Sequence, residues 1–114
     1  LSISKFIQAH AAALLAIAYN PNSIRAYAAK GFAELHLCNL QANSWCLESI
    51  NSYERTIELA KKAKFGVAYY NGQLGDIYEE LKDTTKACEY YKLCNQEQPT
   101  NSFCSGKLAA LACP

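Results

Sequence analysis

Methionine is absent from all 114 residues, so even an initiator is missing, and the chain reads as an excerpt or a processed product. Charge of one sign is also lacking. With 11 Lys+Arg against 10 Asp+Glu, there is no electrostatic footprint for nucleic acid or an anionic membrane surface. Alternation of apolar and polar residues is scarce, and only three prolines and five glycines punctuate a chain that is 51% hydrophobic. That balance favours helices and argues against a sheet. Just two histidines are present, His10 and His36, and neither belongs to a nucleophile-base-orienter pattern, so no enzyme is expected. His36 and Cys38 would point roughly 200° apart around a helix, unlike a pair of metal ligands. Gly72 and Gly75 lie inside a helix-forming segment, not in a phosphate-cradling loop, and no cofactor is expected. The apolar run Ala9 to Ala18 is preceded by Lys5 and ends Ala16-Ile17-Ala18, like a secretory signal in outline. It is broken by His10 and too short to span a bilayer, so it is read as a helix, with no membrane insertion.

What the chain does have is cysteine. Its six, Cys38, Cys46, Cys88, Cys94, Cys104 and Cys113, fit either three disulfides in an oxidising compartment or six buried thiols in a reducing one. Cys38 and Cys46 would flank one helix-helix turn and Cys94 and Cys104 the next, so either pair could approach if the helices fold back. Cys88 and Cys94 point in different directions on one helix and cannot bond each other. The plainer reading is that cysteine stands in for alanine or serine in tight helix contacts, with a cytoplasmic location. Disulfides would move the chain outside the cell or into an organelle.

From Ala68 to Pro99, Leu74, Gly75, Tyr78, Ala87, Tyr91 and Pro99 fall at the spacing of a helix-turn-helix unit. Gly75 and Ala87 let two antiparallel helices approach, Leu74, Tyr78 and Tyr91 fill the space between them, and Pro99 ends the second helix. This pattern resembles the tetratricopeptide repeat. It departs from the family at Asn71, where a large aromatic is usual, and at Cys94, where alanine is usual. Upstream, Pro21 breaks a helix and Ser23 can cap the next. Tyr27 and Gly31 there match the family's aromatic and glycine, while Lys30 and Glu34 stand where leucine and tyrosine are expected. Ser49, Tyr53 and Thr56 share one face of the following helix. The small-residue pairs Ala9 and Ala16, Ser49 and Thr56, and Ala87 and Cys94 keep one common separation, but successive pairs lie farther apart than the roughly 34 residues of the family. The surplus is assigned to the turn around Leu40 to Ser44 and to a helix prolonged over Glu58 to Gly66.

The expected fold is one all-α domain of about six helices, stacked as antiparallel repeats in a right-handed superhelix. The helices are placed at Ile3 to Tyr19, Ser23 to Leu40, Ser44 to Lys64, Val67 to Leu81, Thr84 to Gln96 and Asn101 to Ala112. Residues 1–22 would then be the second half of an incomplete repeat, and 23–64 a degenerate repeat with a long inter-helix turn. The best-matching repeat is 67–100, and 101–114 forms a terminal or capping helix.

The resemblance implies recognition. In that family the first helix of each repeat lines a concave groove that holds a partner's peptide or helix. Carried over, the groove presents Arg25, Ala28, Phe32, Leu35 and His36, then Tyr69, Gly72, Asp76, Glu79 and Glu80, and then Phe103, Gly106 and Ala110. Such a groove is apolar at one end and acidic at the other, suited to an amphipathic partner segment with leucine or aromatic anchors and a basic flank. The basic and amide clamp that some members use on acidic carboxyl termini is missing. The expected function is a noncatalytic interaction or scaffold module in a larger assembly. Its rivals are a secreted or organellar disulfide-stapled effector or ligand-binding domain, and a structural subunit that associates through its ends. In that last case Ile3, Phe6 and Ile7, and Phe103, Leu108 and Leu111, would be covered by neighbours.

Overall fold

Local capping chemistry sets where the helices start. The structure, a computed structural model, describes residues 2–114. Its elements are α1 (Ile3–Tyr19), α2 (Ile24–Leu40), α3 (Ser44–Lys62), α4 (Ala68–Glu80), α5 (Thr84–Glu97) and α6 (Ser102–Ala110), with no strand among the described residues. Ser23, Asp83 and Asn101 accept hydrogen bonds from the backbone N–H groups of Ala26, Lys86 and Phe103, which starts α2, α5 and α6. Helix α4 has no capping side chain of its own at Val67. The Glu97 carboxylate, at the far end of α5, accepts from Val67 N–H and Ala68 N–H at 3.0 Å instead. A long-range contact thus supplies a local need, because the first N–H groups of a helix have no partner within it.

Three helices end alike. Lys64, Lys82 and Ala112 have positive φ, and the next residue in each case donates back into the helix: Phe65 to Ala60, Asp83 to Tyr78 and Cys113 to Leu108. This left-handed closure turns the chain sharply even without glycine. Each helix packs chiefly on a neighbour in sequence, most tightly within the pairs α1–α2, α2–α3 and α4–α5, and α2 also touches α4. The molecule measures 41 × 34 × 20 Å, and its short dimension is the thickness of two packed helices.

The hairpins α2–α3 and α4–α5 share a packing device. Tyr53 of α3 lies over Gly31 of α2, where an added Cβ would be 2.9 Å from the ring, and Tyr91 of α5 lies over Gly75 of α4. Around these contacts two cores form. One holds Leu35, Cys38, Ile50, Tyr53, Leu74 and Ile77, with Cys46. The other holds Ala68, Ala87, Tyr91, Cys94 and Cys104. Tyr78 packs on both, with its ring stacked on Tyr90 at 5.4 Å. Tyr27 is half-buried beneath Arg55, and Pro99 is exposed in the turn before α6.

The turn expected to be long is not. Residues 41–43 join α2 to α3 just as residues 81–83 join α4 to α5. The surplus lengthens the helices: α2 has 17 residues against 13 in α4, and α3 has 19 against 14 in α5. Cys38 and Cys46, Cα atoms 5.0 Å apart, clip this added length together. Extra helix satisfies its own backbone groups, which extra loop would leave to solvent.

Lys30 and Glu34, which break the repeat pattern, make a buried polar joint. Glu34 is fully buried, and it accepts from His10 of α1 at 2.8 Å, from Lys30 at 2.7 Å and from Ser52 of α3 at 2.6 Å. The carboxylate that replaces an aromatic thereby joins three helices, its burial offset by three donors. Along α1, Phe6 and Ala13 face inward, while Ile3, Ile7, Leu14 and Leu15 remain exposed. At the other end Phe103 is exposed, and Leu108 and Leu111 are half-buried.

Candidate functional site

Stacking α2, α4 and α6 on one side leaves a cleft of about 410 Å³. Phe32, Leu35, His36 and Asn39 of α2 form one wall, Gln73, Asp76, Glu79 and Glu80 of α4 the other, and Lys107 of α6 completes it. The apolar and acidic parts expected at opposite ends therefore face each other across the cleft. Spacing on each helix defines a stripe, but which stripes meet depends on how the hairpins stack.

The α2 wall is braced from behind. Phe6 of α1 stacks on His36 at 4.6 Å, and Phe32 meets His36 edge-on at 4.5 Å. Burial lowers the pKa of His36 below its ordinary 6.5, which favours the neutral imidazole on this wall. Leu35 is buried at its base and Phe32 is exposed at its rim.

The α4 wall is a compact charge array. Tyr91 Oη lies 2.5 Å from both Asp76 Oδ1 and Glu79 Oε1, so two carboxylates compete for one hydroxyl proton. Lys107 Nζ donates to Glu79 at 3.0 Å and sits 3.8 Å from Asp76. Burial raises the pKa of Asp76 despite the opposing contacts of Tyr91 and Lys107. Burial also acts upward on Glu79, but there the hydrogen bonds from Tyr91 and Lys107 prevail and the net shift is downward. The hydrogen bond to Glu79 in turn raises Lys107. Glu80 is exposed and has no ion pair among the described residues.

Two further expected groove residues, Tyr69 and Phe103, lie beside the cleft in a smaller notch of about 180 Å³, and Gln73 borders both spaces. Arg25 is exposed on the first turn of α2 and lines neither. Lys107, Asn39 and Gln73 were not anticipated. Lys107 arrives from α6, and its position depends on how α6 is fastened to α5.

Disulfides make that fastening. Cys94 pairs with Cys104 and Cys88 with Cys113, at Cα separations of 6.1 and 5.7 Å, and with Cys38–Cys46 they leave no free cysteine. The Cys88–Cys113 pair was not expected from spacing, because it requires α6 to run back along α5. Helix α6 has one buried residue, Cys104 itself, so covalent links hold what a nine-residue helix could not secure by apolar burial. Three such pairs suit an oxidising setting, secreted or organellar. The cytoplasmic location and the reading of cysteine as buried thiol have no support in this arrangement. No helix among the described residues is long and apolar enough to cross a membrane. No protein-family model matches the chain, and no curated protein is significantly similar to it.

Proposed function

We propose that this chain is a noncatalytic, disulfide-stapled helical domain of an oxidising compartment that binds a segment of a partner protein across the α2–α4–α6 cleft. The observation that carries the reading is the cleft itself, an apolar wall facing a carboxylate wall on helices that three disulfides help hold in register. An amphipathic segment with a leucine or aromatic anchor and a basic residue complements both walls. Cross-links before binding reduce the ordering cost of association. The matching tyrosine-over-glycine contacts of the two hairpins support a tetratricopeptide-like arrangement of repeats, built here with longer first-hairpin helices.

Binding is tested with the oxidised protein against arrayed short peptides that vary independently in net charge and in aromatic content. Selection of peptides combining a basic residue with an aromatic or leucine, lost in the Phe32→Ala and Glu80→Lys variants, supports the reading. Both positions are exposed, so the fold should persist. Peptide capture unaffected by either change contradicts it.

A further inference from the structure

We propose that the notch between Tyr69 and Phe103 is the anchor pocket of this surface, taking one aromatic or leucine side chain of a partner segment whose neighbouring basic residue lies in the adjoining cleft. The inference rests on the cleft reading and adds the place and chemistry of the anchor.

Both walls are large rings left in water: Tyr69 is 57% and Phe103 44% exposed. Neither wall is loose. Phe103 meets Tyr91 edge-on at 6.1 Å, and Tyr69 meets Tyr70 edge-on at 5.7 Å. The floor is sulfur and glycine. A Cβ on Gly72 would lie 3.4 Å from Cys104 Sγ, 3.5 Å from Phe103 and 3.7 Å from Cys94 Sγ, so the absent side chain keeps the space over the disulfide open. Polarizable sulfur below and aromatic faces beside make good contact for a ring or a branched alkyl group. The volume of about 180 Å³ is close to the roughly 150 Å³ of an apolar cavity that holds benzene. It therefore admits one side chain.

Charge fixes the neighbour. Gln73 borders both the notch and the cleft, where Asp76, Glu79 and Glu80 face Lys107, the one cation of the lining among the described residues. A basic residue beside the anchor meets this surplus of negative charge, and an acidic one is repelled.

The test uses acetyl-Gly-Gly-Phe-Arg-Gly-Gly-amide, titrated into the isotope-labelled oxidised protein and followed by backbone amide shifts. Shifts are expected at Gly72, Gln73 and Phe103, with affinity at least about tenfold weaker when the peptide Phe becomes Ala. That difference should vanish in the Tyr69→Ser, Phe103→Ser double variant. If the Phe peptide remains the tighter binder in the Tyr69→Ser, Phe103→Ser double variant while His36 and Asp76 amides still shift, the anchor pocket is wrong and the cleft reading stands; equal binding of the Phe and Ala peptides to the unaltered protein overturns both. If no amide on this face responds, both fail.

Discussion

The ring of Tyr91 lies across Gly75 so closely that a Cβ there would fall 2.5 Å from a ring carbon. Tyr91 is itself fully buried and cannot swing away. Gly75→Ala should lower stability by about 2 kcal/mol, because overpacking of about 3 kcal/mol exceeds the roughly 1 kcal/mol gained by replacing a helical glycine. Gly106, with nothing within 4 Å of its Cβ position, is the control. Gly106→Ala should raise stability by up to about 1 kcal/mol. Urea unfolding midpoints of the two variants check both signs.

Tyr53 and Tyr91 occupy matching places but differ at the hydroxyl. The Tyr91 hydroxyl has Asp76 and Glu79 as alternative acceptors for its one proton, whereas the buried Tyr53 hydroxyl finds no protein partner. Tyr91→Phe should cost about 1–3 kcal/mol, as for a bond to a charged acceptor. Tyr53→Phe should cost nothing and can raise stability by about 1 kcal/mol. Thermal unfolding of the two single variants distinguishes these outcomes.

Glu34 is the one fully buried carboxylate among the described residues, held by His10, Lys30 and Ser52. Glu34→Ala should destabilise by about 3–5 kcal/mol, since it strands the Lys30 ammonium. The double change Lys30→Leu, Glu34→Tyr gives the first hairpin the Leu74 and Tyr78 spacing of the second and removes both charges together. It should recover most of that loss. Calorimetric unfolding of single and double variants provides the measurement.

These two hairpins show how much was legible in the sequence. Leu74, Gly75, Tyr78, Ala87 and Tyr91 were readable because apolar and small residues at helical spacing specify a face. Six helices were expected, and Ser23 was readable as the cap of α2, whereas the caps at Asp83 and Asn101 emerge only in the structure. Lys30 and Glu34 were unreadable as a core feature, because their partner His10 lies on another helix. Lys107 escaped for the same reason: its place in the cleft comes from α6 being tied back along α5. Nor does spacing tell whether surplus residues become loop or helix. Here they became helix, clipped by Cys38–Cys46.

The two coupled carboxylates respond oppositely to acid. Burial raises the folded pKa of Asp76 above its ordinary 3.8, so its ionised form works against the fold, and folding is relieved as pH falls through that raised value. Glu79 is lowered below 4.5 by Tyr91 and Lys107, which outweigh its burial. It contributes stability above its unfolded pKa, and that contribution is lost as pH falls through the folded value. At neutral pH, Asp76→Asn should therefore raise stability and Glu79→Gln lower it, with both differences fading once each carboxylate is protonated. Unfolding curves between pH 2 and 7, an interval of about five units that spans both groups, follow the two trends.

Covalent cross-links hold α6, and with it Lys107 and Phe103, on this face. The decisive measurement takes protein freshly isolated from its natural source, alkylates it without reductant, weighs it intact and maps it by proteolysis. No alkylated thiol is expected, and three linked peptide pairs should join Cys38 to Cys46, Cys88 to Cys113 and Cys94 to Cys104. Alkylation at all six cysteines would contradict it and return the chain to a reducing compartment.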